Sequence, residues 1–71
     1  SIYPNPVKDE LIISFKQLTM EYSVMKIYDL SGRKIWEQTV ASEKLKVNTR
    51  ELSAGVYFLQ IDGMVHRFVK L

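Results

Sequence analysis

The sequence has no cysteine, one histidine, two prolines and three glycines among its 71 residues. Without cysteine, no disulfide and no thiolate-held metal reinforces the core. Compartment stays open on this count, because many exported proteins also lack cysteine. The lone His66 excludes a histidine-based metal site and leaves any Ser-His-Asp triad resting on one residue. It stands beside Arg67 with no carboxylate nearby in sequence, and reads as a surface or half-buried strand position. The excess of one sign of charge is also small: the formal net charge is +2 and the basic residues are scattered. Nucleic-acid recognition calls for a clustered basic face, so none is expected. The longest apolar run is about four residues, far short of the roughly 20 that span a bilayer. No signal-peptide pattern is present, and the chain opens at Ser1 without Met. That opening predicts a fragment, the C-terminal module of a longer protein.

Catalytic chemistry is equally sparse. The carboxylates Asp9, Glu10, Asp29, Glu37, Glu43, Glu51 and Asp62 fall mostly at turns and strand ends, where Asp bonds to nearby backbone. None forms a pair at a spacing suited to general acid–base work. A calcium loop around Asp62-Gly63 would need several more oxygen ligands. The expectation is no enzyme, no catalytic residue, no metal and no cofactor.

What remains is strand-forming material. Helical periodicity fails except over Lys16 to Glu21, too short to stand alone in water. Period-two alternation runs through Glu10 to Phe15, Tyr22 to Tyr28, Lys34 to Val40, Lys44 to Asn48, Val56 to Asp62 and Met64 to Leu71. Both faces of the Tyr22–Tyr28 run carry apolar groups, which predicts a central strand with both sides at least partly covered. Leu45 and Val47 point inward, and Lys44, Lys46 and Asn48 outward. Asp62-Gly63 predicts a type I′ hairpin, and Ser31-Gly32 a turn using positive φ. Connections this short exclude parallel crossovers. The fold class is therefore all-β: a small antiparallel β-sandwich, immunoglobulin-like, of about six to seven short strands in a single domain over 1–71. At this size only about 60% of the unfolded surface can be buried, so Tyr57 and the other large aromatics Trp36, Tyr28 and Phe58 are expected to be core. Pro4 and Pro6 cannot donate to a ladder, so Tyr3 to Pro6 reads as an edge or entry kink.

Four segments carry a specific resemblance. Tyr3-Pro4-Asn5-Pro6-Val7 ahead of a Leu-Ile-Ile strand, Ile27-Tyr28-Asp29-Leu30-Ser31-Gly32-Arg33, Leu52-Ser53-Ala54-Gly55-Val56-Tyr57 and the closing Arg67-Phe68-Val69-Lys70 stand in order along the chain. The ordered set resembles the type A C-terminal sorting domain of the type IX secretion system of Bacteroidetes-type bacteria. The closing motif usually carries a basic pair, which here reads His66-Arg67.

The resemblance implies a non-catalytic secretion signal. It would follow a cargo domain in the same chain and direct it from the periplasm through an outer-membrane translocon to the cell surface or beyond. A surface protease with sortase-like activity often removes such domains. Arg67, Phe68, Val69, Lys70 and Leu71 are the expected recognition residues, taken by strand addition or capture of a terminal carboxylate. Pro4, Asn5, Pro6, Gly32, Gly55, Val56 and Tyr57 are expected to be mostly structural. Partners would be the translocon and that protease, with no nucleic acid and no membrane span. The alternative is an accessory or carbohydrate-binding module, which needs an exposed aromatic patch around Trp36 and Tyr28.

Overall fold

A computed structural model describes residues 2–14 and 23–71. Among the described residues there are seven strands: β1 (Ile2–Tyr3), β2 (Glu10–Ser14), β3 (Ser23–Asp29), β4 (Lys34–Val40), β5 (Lys44–Asn48), β6 (Gly55–Ile61) and β7 (Met64–Lys70). The helical candidate Lys16 to Glu21 lies outside the described residues. The strands form a three-stranded sheet of order β1-β2-β5 and a four-stranded sheet of order β4-β3-β6-β7, with every strand pair antiparallel. The all-β, two-sheet expectation holds. Strand β1 is additional: Ile2 pairs with Ile13 and Tyr3 with Ile12. Its two residues are too few to show an alternation, so sequence periodicity had nothing to detect.

Register follows the pleat. In β3 Ser23, Met25 and Ile27 are buried, while Val24, Lys26 and Tyr28 face the other way. In β5 Val47 is buried and Leu45 packs on the core, with Lys44, Lys46 and Asn48 exposed. The hairpin between β6 and β7 turns at Asp62 (φ 48°) and Gly63 (φ 77°), the paired positive values a type I′ turn requires. The core comprises Val7, Leu11, Ile13, Met25, Ile27, Val40, Val47, Tyr57, Leu59, Ile61 and Phe68. Tyr57 and Phe68 are cross-strand partners, and their rings stack at 5.5 Å. Such a pair contributes roughly 0.5–1.5 kcal/mol beyond its buried area.

Two expectations about the aromatics change. Tyr57 is core, but Phe58 and Tyr28 are only half-buried, on the outer face of the four-stranded sheet. Trp36 is 38% exposed on the edge strand β4. The regular register of β3 and β4 places Trp36 opposite the core residue Ile27, and a β-bulge just beyond it sets Lys34 in place of Ile35 opposite Tyr28. Trp36 and Tyr28 therefore belong to opposite sides of the sheet and share no platform. The outer face of β3 is likewise less covered than its apolar content predicts: Val24 is 38% exposed.

Candidate functional site at one end of the four-stranded sheet

The strand registers bring distant segments to one end of the larger sheet. Asp29, at the end of β3, pairs with Tyr57 near the start of β6. Gly55, which opens β6, pairs with Lys70, which ends β7. Val7 lies against Lys70 from the other side through an isolated parallel bridge. Residues 5–7, 29–33, 54–57 and 67–71 thus meet, although up to 64 positions separate them in sequence. The turns at 29–31 and 54–57 line an open depression of about 330 Å³.

The turn after β3 is built around one carboxylate. Asp29 Oδ1 accepts bonds from the Ser31 hydroxyl (2.6 Å), the Ser31 amide (3.0 Å) and the Arg33 amide (3.0 Å). The Arg33 guanidinium lies 3.3 Å from Oδ2. Gly32 donates its amide to the Asp29 carbonyl and takes φ 91°. The Ser31 hydroxyl first, and then the Arg33 amide, hold the Asp29 carboxyl below the usual carboxylate range, with desolvation opposing them. A depressed folded-state pKa contributes stability above the unfolded value of about 3.9 and loses it as pH falls through the folded one. Chemical denaturation between about pH 2 and pH 6 is expected to show a steeper acid loss for the wild type than for Asp29→Asn. Equal slopes would remove Asp29 from the turn's support. This same turn holds Leu30 outward, 70% exposed. No sequence periodicity singles out Leu30, and the signal available was an apolar residue inside an Asp-x-Ser-Gly turn.

The turn before β6 is closed by Tyr57, whose hydroxyl donates to the Ser53 carbonyl at 2.6 Å. Gly55 adopts φ 156°, and a Cβ there would meet no atom within 4 Å. Backbone conformation, and not space, is what requires glycine at this position. Val56, next to it, is half-buried.

The closing segment divides by pleat. Phe68 is fully buried and Lys70 is 7% exposed, whereas Arg67 is exposed, Val69 half-buried and Leu71 65% exposed. The Lys70 ammonium donates to the Lys8 carbonyl beneath the 4–9 segment. Phe68 and Lys70 therefore face inward, and only Arg67 and Leu71 present full side chains to solvent. On the same end, Asp9 is tied down: its carbonyl accepts from the Thr49 amide (2.8 Å) and hydroxyl (3.0 Å).

Pro4, Asn5 and Pro6 are all exposed. Asn5 nevertheless does more than mark a kink. Its amide nitrogen donates to the Arg67 carbonyl (3.3 Å), and its oxygen accepts the Val69 amide (3.0 Å). Val7 continues this pairing through Val7 N to Val69 O (2.7 Å) and Leu71 N to Val7 O (2.8 Å). The available sequence signal was an amide side chain between two prolines that cannot donate themselves.

Among the described residues no group of His, Cys, Asp and Glu could hold a metal ion. Among them, no helix is long and apolar enough to cross a membrane, which does not bear on membrane strands.

The family model described as secretion system C-terminal sorting domain matches residues 1–70. The chain is also 25% identical over 68 residues to beta-agarase A of Zobellia galactanivorans, covering 96% of this chain and 12% of that protein. The chain thus spans about 12% of the length of this curated relative. No solved structure matches.

Proposed function

This chain belongs to the family of secretion-system C-terminal sorting domains, and we propose that its sheet end is the address a type IX translocon reads. As a member it is a signal for export to the cell surface or the extracellular space. The finer reading is that residues 1–71 form one domain behind a cargo domain in a longer secreted protein. It passes through the periplasm folded, and a sortase-like surface protease removes it by cleavage upstream of or near Ser1. The domain itself carries out no reaction.

The observation that supports this reading is the convergence of the four resemblance motifs on one end of one sheet. A receptor gains affinity from a surface already held in shape, since ordering a loose segment costs about 0.5–1.5 kcal/mol per immobilised side chain. Arg67 and Leu71 are the contact side chains in this reading. Phe68, Val69 and Lys70 fix the strand that carries them, and Gly32, Gly55, Val56 and Tyr57 shape the neighbouring turns.

The test is a periplasmic reporter fused ahead of residues 1–71 in a host with type IX machinery. The expected result is reporter outside the cell, with the double variant Arg67→Ser/Leu71→Ser folded but retained in the periplasm. A folded wild-type fusion that stays in the periplasm would overturn the proposal.

A further inference from the structure

We propose that Asn5 is a side-chain substitute for a β-strand, closing the outer edge of β7 over Arg67 to Leu71, and that export requires this closed edge. The inference rests on the sorting reading given above and names the device that conditions it.

The geometry is that of a ladder. In an antiparallel pair alternate residues turn both backbone groups towards one neighbour. Strand β7 is the last strand of its sheet, with β6 on one side only. Its other side turns out the Arg67 amide and carbonyl, both groups of Val69 and the Leu71 amide, the row an edge strand offers to any incoming chain. From the Arg67 carbonyl onward each of these is occupied. The Asn5 carboxamide has the donor and acceptor layout of a peptide group, and it bonds Arg67 O and Val69 N as a peptide would. The backbone of Val7 takes the remaining two.

The flanking prolines explain why a side chain is needed. Pro4 and Pro6 have no N–H, so the backbone of this stretch cannot pair continuously. Asn5 supplies the missing pair and Val7, fully buried, anchors the end. Lys70 and Thr49 fasten the same segment from below, at Lys8 and Asp9.

Two consequences follow. Strand addition from the Arg67 carbonyl to the Leu71 amide is blocked, because those groups are already paired and leave no row for a receptor to extend. Residues 5–7 also become part of what is presented beside Arg67 and Leu71, so an intact address requires both segments joined.

The experiment compares wild type, Asn5→Ala and Asn5→Asp in the reporter fusion and as the isolated domain fused to a folded carrier. Asn5→Asp keeps the acceptor for Val69 but loses the donor to Arg67. In Asn5→Ala the Val69 amide is expected to exchange with solvent about tenfold faster or more, while the Phe68 amide, bonded towards β6, keeps its protection. Unfolding stays cooperative, the reporter is retained in the periplasm, and Asn5→Asp falls between the two. Unchanged Val69 protection in Asn5→Ala would overturn the closure. Unchanged or increased export with Val69 protection lost would overturn the requirement, an increase indicating capture by strand addition. Loss of folding in Asn5→Ala would also overturn the proposal, since the bonds would then hold the fold and not its edge. Failure of the wild-type fusion to leave the cell is a separate result, and counts against the sorting reading.

Discussion

Phe68→Ala is expected to cost about 3–5 kcal/mol, the range for removing a fully buried aromatic. Phe68 has no exposed surface and stacks on Tyr57, so the cavity would open in the buried core beneath the β6–β7 pair. A 71-residue domain holds a total stability of about 4–11 kcal/mol, and a loss of this size removes much or all of it. In urea, with a slope near 1 kcal/mol/M for so small a protein, the midpoint should drop by several molar or the transition should vanish. Leu71→Ser, at a position 65% exposed, should stay within about 0.5 kcal/mol of wild type. The two positions therefore separate: a defect at Phe68 reports on folding, whereas lost export in a Leu71→Ser variant of wild-type stability would support the receptor contact proposed for Leu71. A Phe68→Ala domain with wild-type stability would contradict the core assignment. Deleting Phe68 to Leu71 cannot distinguish these effects, because it removes both at once.

Lys70→Glu is expected to be the most damaging charge change in the domain. The Lys70 ammonium is buried against the Lys8 carbonyl, and a carboxylate there would face an acceptor with no donor to meet it. An unpaired buried charge costs about 3–5 kcal/mol. Lys70→Met keeps the apolar stem packed and loses only the bond, at about 1–3 kcal/mol. The two variants also differ in pH response. A buried glutamate has a folded-state pKa raised above its unfolded value of about 4.3, so the Lys70→Glu defect shrinks as pH falls through the folded pKa. The Lys70→Met defect stays flat over the same range. Thermal or urea midpoints of both variants at neutral and acid pH check this, and similar losses in the two would contradict the buried placement of Lys70.

Much of this architecture is legible in the residues. Alternation in 44–48 gave the inward and outward faces of β5, and Asp62-Gly63 gave the hairpin turn, because pleat and turn geometry are local rules. The registers that gather the motifs were not legible. Pairing of Gly55 with Lys70, or of Asp29 with Tyr57, depends on which strands become neighbours, and no local pattern encodes that choice. Alternation groups Trp36 with Val40 on one side of β4, but the bulge that sets Lys34 in place of Ile35 opposite Tyr28 is a one-residue shift invisible to it. Phe68 and Lys70 were expected as part of a recognition row. Alternation alone puts both on one side of β7, but only the packing of the 2–10 segment and the other sheet identifies it as the inner one. Asn5 was legible as a polar residue between two prolines, and its partners at Arg67 and Val69 were not, since they lie 62 and 64 positions away.

Those separations bear on when the address comes into being. A chain emerging from its amino end has Asn5 in place long before Arg67 exists, and the bond between them must await nearly the whole domain. Contacts this remote in sequence also form slowly compared with local ones. A polypeptide truncated anywhere between these two points carries Asn5 without its partners on β7, so under the proposed reading a closed edge would report that the stretch from Asn5 to Leu71 has already been made.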